Sequence, residues 1–176
     1  ILINGAGGSA GSFAIQMAKL CGAETTGVDH TDKLDFMRSL GADHVIDYTR
    51  EDFTETGNQV DLIFDLIARH PVSAVQRALQ PNGTYFFIGG SVKILFQILL
   101  FGASIKRKTT KNIRVLAVQQ SREDLIAVTK LCTTGKIKPI IDKQFAFAQI
   151  PEAMRYVVEG RAKGKVVISL DASFNN

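Results

Sequence analysis

Ile1-Leu2-Ile3-Asn4-Gly5-Ala6-Gly7-Gly8-Ser9-Ala10-Gly11 opens the chain with three apolar residues of strand type that run straight into a glycine-rich turn. Apolar residues at helical spacing follow from about Ala10 to Cys21, with Ala10, Phe13 or Ala14, Met17 and Cys21 predicted to face a sheet. Strand, glycine turn and helix in that order form the phosphate turn of a dinucleotide-binding fold. The glycines let the backbone approach a pyrophosphate, while free N–H groups and the helix dipole stabilise its charge. The spacing is Ala6, Gly8 and Gly11 in an A-x-G-x-x-G pattern, with Gly5 as an extra flexible position. The other reading of these glycines is that they only permit tight helix packing.

Working outward, strand-length apolar runs alternate with helical segments. Thr25 to Val28 reads as a second strand. Thr31 or Asp32 caps a helix whose Leu34, Met37 and Leu40 face inward. Val45-Ile46 and Asp61 to Leu66 are the third and fourth strands. Pro71 opens a helix to Leu79, Pro81-Asn82-Gly83 makes a turn, and Thr84 to Ile88 is the fifth strand. Asn112 to Val118 is the sixth, followed by a helix from about Arg122 to Thr133. This pattern predicts an α/β fold with a doubly wound parallel sheet of six strands, because parallel neighbours need crossovers. Beyond Gly135 the character changes: Lys138 to Phe147 is one extended strand, Pro151 to Glu159 a helix, Lys165 to Leu170 a strand and Asp171 to Asn176 a frayed end. Residues 1–135 are therefore assigned to a cofactor-binding domain and 136–176 to a segment that leaves it.

An acidic residue about 20 positions after the turn would bind the ribose diol of NAD. Asp29 stands at that place, which favours NAD, while Lys33 and Tyr48 lie where either could contact a phosphate. At the carboxyl edge of the sheet, Leu66 and Ile67 end the fourth strand and Gly89-Gly90-Ser91 follows the fifth. The first pair would wall the cofactor, and the second would let the backbone pass close to the nicotinamide. The candidate cofactor set is thus Ala6, Gly8, Ser9, Ala10, Gly11, Asp29, Lys33, Tyr48, Leu66, Ile67, Gly89, Gly90 and Ser91, with NAD(H) and NADP(H) both open.

Composition bounds the alternatives. With 176 residues, 45% hydrophobic, 22% charged and 15 glycines, the chain can bury a core and is neither disordered nor collagen-like. Cys21 and Cys132 are too few and too far apart for a redox or zinc motif and read as reduced core thiols. The net charge of +4 is mild. Its dense cluster, Lys106-Arg107-Lys108 with Lys111 and Arg114, reads as a solvated loop rather than a nucleic-acid patch. Ile94 to Phe101, interrupted by Gln97, falls short of the roughly 20 apolar residues a membrane helix needs and reads as a buried or interface segment.

In combination, Asn4 to Gly11 followed by Gln16-Met17-Ala18-Lys19, Ser39 to Tyr48, Leu79 to Gly83 and Gly164 to Ile168 resemble the medium-chain dehydrogenase/reductase superfamily. The branch they resemble is the quinone-oxidoreductase-like one, which generally lacks catalytic zinc. The resemblance implies hydride transfer from NADPH to a quinone, enone or other activated carbonyl acceptor. It implies a catalytic domain encoded upstream, on which the segment from about Lys136 packs, and a homodimer joined through the Asn112 to Val118 edge strand. Lys33 and Tyr48 match residues that touch the 2′-phosphate, whereas Asp29 and Ser9 replace a small or polar residue and a glycine. No zinc, nucleic-acid or membrane partner is expected, a cytoplasmic location is, and the chain by itself should bind cofactor without turnover.

The Tyr-x-x-x-Lys pair of short-chain dehydrogenases is absent: Asp52, Gly89 and Gly160 stand four places after the three tyrosines. His30, His44 and His70 show no metal-ligand spacing with the cysteines and read as surface or hydrogen-bonding residues. No catalytic residue is assigned. A regulatory module that keeps the cofactor fold without chemistry is the rival reading, and an RNA or membrane-surface contact at Lys106 to Arg114 is a weaker third.

Overall fold

Six parallel strands, β1 (Leu2–Asn4), β2 (Thr26–Asp29), β3 (His44–Asp47), β4 (Val60–Asp65), β5 (Leu79–Phe87) and β6 (Asn112–Val115), form one sheet in the order β3-β2-β1-β4-β5-β6. A computed structural model describes residues 1–117, 119 and 121–170. The order reverses between β1 and β4, and ligands of open α/β sheets bind in the crevice outside the strand ends at such a point. Crossovers are made by α1 (Gly11–Leu20), α2 (Leu34–Ser39), α3 (Val72–Arg77) and α4 (Val92–Lys108), with α5 (Arg122–Thr133) after β6. A separate two-stranded parallel sheet follows, β7 (Ile141–Ala146) with β8 (Lys165–Ser169), connected through α6 (Ile150–Val158).

Alternation along β1 divides the core. Leu2 joins one cluster with Ile63, Leu79, Tyr85 and Ile98, and Ile3 joins the other with Ala6, Ile15 and Met37. The period of two in a strand sends neighbours to opposite faces, and helices cover both.

Several expectations need correction. The buried face of α1 is Gly11, Ser12, Ile15 and Ala18, and Met17 and Cys21 are exposed. The cause lies at Gly11, where a Cβ would meet Gly5 O at 2.3 Å and Ala6 Cα at 2.5 Å. Docked that closely, the helix turns Ile15 and Ala18 inward, leaving Cys21 a surface thiol; Cys132, on α5, is half-buried rather than a core thiol.

The Ile94 to Phe101 stretch lies in α4, the β5–β6 crossover, with Ile94 and Ile98 buried but Phe96, Leu99 and Leu100 exposed. Arg107 and Lys108 end this helix rather than sitting in a loop, a placement its dipole favours. Pro81-Asn82-Gly83 lies inside β5 as an irregularity, since Val60 pairs with Leu79 and Leu62 with Thr84; Asn82 takes the left-handed φ of 66°. The strand expected from Lys138 is shorter because Gln16 engages both backbone groups of that residue, donating to Lys138 O at 3.1 Å and accepting from its N–H at 2.8 Å. Val118 and Asp171 to Asn176 lie outside the described residues.

Neither Thr31 nor Asp32 is the cap after β2. His30 Nδ1 accepts from Asp32 N at 3.3 Å, and the Thr31 hydroxyl donates to Asp47. Asp47 also accepts from the Thr49 hydroxyl at 2.7 Å and Thr49 N at 2.9 Å. These bonds, the Thr31 hydroxyl foremost and Thr49 next, hold its carboxyl down to about 2. They fasten the end of β3 to the turn after β2.

Two outcomes follow. Gly11→Ala must push α1 off backbone atoms, and an overpacking loss of about 1–3 kcal/mol is expected in urea unfolding. For Asp47, the folded carboxyl lies below its unfolded value of about 4, so its contribution is complete above that pH and is lost as pH falls towards 2. Asp47→Asn should therefore be less stable than wild type at pH 7, with the gap closing through that acid window; a pH-independent gap would contradict the assignment.

Candidate functional site

The carboxyl ends of β1, β2 and β4 meet at the glycine turn. Gly5 and Ala6 donate to Val28 O at 2.9 and 3.1 Å, Gly7 donates to Asp29 Oδ2 at 2.9 Å, and Gly8 donates to Gly5 O at 3.2 Å. Gly5 needs its positive φ of 86°, and a Cβ there would lie 2.8 Å from Ile67 Cγ1. Among the described residues, the N–H groups of Ser9, Ala10 and Gly11 have no acceptor, and no side chain caps α1. Ser9 and Ala10 are exposed. Unspent donors at the positive end of a helix suit a pyrophosphate, so the turn fits a dinucleotide.

Asp29 and Lys33 are 5% and 7% exposed, respectively, and lie 3.4 Å apart as a buried ion pair. Asp29 also accepts from His30 N at 2.8 Å. Lys33 lies over the turn: a Cβ on Gly7 would meet Lys33 Cδ at 2.6 Å. Tyr48 is half exposed and meets His30 edge-on at 5.9 Å, with its N–H donating to Asp29 O.

On the other side of β1, Asp65 is wholly buried. Its carboxylate accepts from Asn4 Nδ2 at 2.8 Å, Tyr85 OH at 3.0 Å and Ile67 N at 3.2 Å. Desolvation raises the Asp65 carboxyl above the usual carboxylate range and, with the adjacent carboxylate, raises the Tyr85 phenol. The bonds tie the ends of β1, β4 and β5 together and set Ile67 against Gly5. Ala68 continues the tie, donating to Gly89 O and accepting from Ser91 N, both at 2.9 Å.

A cleft of about 760 Å³ runs along this edge. It gathers Asp29, Lys33, Tyr48 and Ile67. Ala6 is buried and shapes the turn, Leu66 packs into the core, and Gly89 to Ser91 lie at the neighbouring strand end. Sequence reasoning missed Asn4, His30, Arg69 and His70 in the lining, and also Arg161 and Lys163 after α6. The last two carried a legible signal, the basic run Arg161-Ala162-Lys163 before Gly164. His44 Nε2 and His70 Nε2 lie against Glu24 and Asp52, and the His30 ring lies beside Asp32, from whose N–H it accepts. Among the described residues no three His, Cys, Asp or Glu side chains cluster as metal ligands would. No described helix is long and apolar enough to cross a membrane.

Comparison with known proteins places this geometry in a family. Residues 40–168 match the family model described as zinc-binding dehydrogenase. A 2-methylene-furan-3-one reductase of Solanum lycopersicum is 35% identical over 96% of this chain and 39% of its own length. The mitochondrial NAD(P)H oxidoreductase RTN4IP1 of Danio rerio is 30% identical over 97% of this chain and 49% of its own. The solved quinone oxidoreductase of Coxiella burnetii shares the fold, with a TM-score of 0.83 at 24% identity, covering 97% of this chain and 52% of that one. The chain spans about half the length of the curated relatives it matches. A six-stranded Rossmann sheet, a glycine turn with free N–H donors and a match over most of its length together show that the chain belongs to the zinc-binding dehydrogenase family, in the quinone-oxidoreductase-like branch of the medium-chain dehydrogenase/reductase superfamily.

Proposed function

We propose that the chain is the cofactor-binding portion of an NAD(P)H-dependent oxidoreductase whose acceptor is a quinone, an enone or another activated carbonyl compound. The observation that carries the reading is the row of unspent N–H groups on Ser9, Ala10 and Gly11; these residues do not themselves line the cleft that holds Asp29, Lys33 and Tyr48, but they end the turn that begins at Gly5 in its lining. Ser9 to Gly11 would take the pyrophosphate, Asp29 and Lys33 the adenosine ribose or its 2′-phosphate, and Tyr48 the same end of the nucleotide. Ile67 would wall the ring system, and Gly89 to Ser91 would pass beside the nicotinamide. The bound nicotinamide supplies the hydride; the protein's residues supply binding, orientation and exclusion of water.

In this reading residues 1–135 are the binding domain, and β7, α6 and β8 belong to a segment that packs on a catalytic domain. A homodimer through β6 is part of the proposal, supported by the strand's terminal place in the sheet and the exposure of Arg114 and Val115. Titration with NADH and NADPH tests the reading directly: no binding of either ends it. Binding without turnover of quinone or enone by the full-length protein would favour the regulatory module.

Asp29 gives a sharper outcome. Replacing it frees Lys33 and removes the acceptor that a ribose diol would use. Asp29→Ser is expected to move the ratio of NADPH to NADH affinity at least about tenfold towards NADPH. An unchanged ratio would show that Asp29 does not read the ribose.

A further inference from the structure

The net charge of +4 is the difference between two unlike parts of the chain. Residues 66–122 hold nine Lys and Arg and no Asp or Glu, while the remainder holds 12 Lys and Arg against 17 Asp and Glu. The acid-free part contains α4, whose outward side is apolar. Val92, Phe96, Leu99 and Leu100 stand at i, i+4, i+7 and i+8, the spacing of one helix face, and are 66%, 60%, 65% and 70% exposed. Ile94, Ile98 and Ile105 take the opposite face and pack into the core. The core therefore accounts for only one side of this helix. A helix facing water carries charged or polar residues on its outer side, and an apolar stripe rimmed by polar groups marks a surface that something else covers.

The charges at its rim indicate what covers it. Lys93 stands in the first turn of α4, where the dipole disfavours a cation and no acidic residue accompanies it; Arg107 and Lys108 close the last turn. All three are exposed, and among the described residues none pairs with a carboxylate. A second copy facing α4 through the same stripe would bring like charges together. A nucleic acid would meet the cations but leave the aliphatic row against phosphate and water. An anionic bilayer satisfies both features, because acyl chains take the apolar row and headgroups take the cations. We propose that α4 docks the protein on an anionic lipid surface, lying in the interface plane with Phe96, Leu99 and Leu100 inserted and Lys93, Arg107 and Lys108 among the headgroups. With 17 residues the helix is about 25 Å long, short of the roughly 30 Å of hydrocarbon a spanning helix must cross. None of these residues lines the cofactor cleft, so the surface is independent of nucleotide binding. The sequence pattern led to no expectation of a membrane partner; the outward face of α4 revises that expectation.

Vesicle flotation of the 176-residue chain tests the proposal. Phosphatidylcholine vesicles carrying about 30 mol% phosphatidylserine should bind at least about tenfold more tightly than phosphatidylcholine alone, with the advantage lost in high salt. On the anionic vesicles Leu99→Glu with Leu100→Glu should lose about tenfold or more, and so should Arg107→Glu with Lys108→Glu. Leu125→Glu with Ile126→Glu charges the exposed apolar residues of α5 and should change binding by less than about twofold. The chain has no tryptophan, so Phe96→Trp adds a single reporter whose emission should move to shorter wavelength on the anionic vesicles. That reporter keeps the proposal testable if a glutamate pair unfolds α4. Absence of binding to anionic vesicles would overturn the inference. So would binding that survives the Leu99 and Leu100 replacements, equal loss in the α5 variant, or an unshifted reporter on vesicle-bound protein. Self-association without vesicle binding would assign the stripe to a second copy, and RNA binding without vesicle binding would assign the cations to nucleic acid; either outcome also overturns it.

Discussion

The contact between Gly11 and the backbone of Gly5 and Ala6 determines where everything at the site can be. With no Cβ at Gly11, α1 comes down on the end of β1 and its first turn presents unspent N–H groups directly outside the sheet. The same contact sets the rotation of α1, so that Ile15 and Ala18 reach the core and Gln16 is left at the rim to hold Lys138. One absent methyl group thus fixes both the place of the unspent N–H groups and the position from which Gln16 holds Lys138.

Around that contact the polar groups are arranged before any ligand arrives. A buried charge is expensive unless paired and hydrogen-bonded. Asp29 satisfies this through Gly7, His30 and Lys33, and Asp65 through Asn4, Tyr85 and Ile67. Both carboxylates act as fasteners: the first binds the turn to β2, and the second binds β1 to β4 and β5. Asp47 does the same for β3 and the turn carrying His30. The polar groups at this end of the cleft are therefore pre-arranged, and the proposed reading of the adenosine ribose rests on the Asp29–Lys33 pair.

Much of this was legible in the chain. The six parallel strands and the glycine turn follow from alternation of apolar runs and from Gly5 to Gly11, because those signals are local. Asp29, Lys33 and Tyr48 were placed by spacing, and the structure does bring them to one cleft. What escaped depends on contacts remote in sequence. The inward face of α1 was misread by one residue because periodicity does not reveal a close helix-to-strand approach at Gly11. The α4 crossover was hidden since its apolar residues face both the sheet and solvent. Nothing local distinguishes Lys33, buried over Gly7, from a surface lysine. Lys165 meets Ser9 across 156 positions of chain, beyond any window of pattern.

Backbone amide resonances give the most direct test that the turn is a pyrophosphate site. Adding NADPH or NADH to isotope-labelled protein should shift the amide signals of Ser9, Ala10 and Gly11 most, because those N–H groups gain the acceptor they lack. Saturating nucleotide that leaves these three signals in place, whether or not others move, would contradict the assignment.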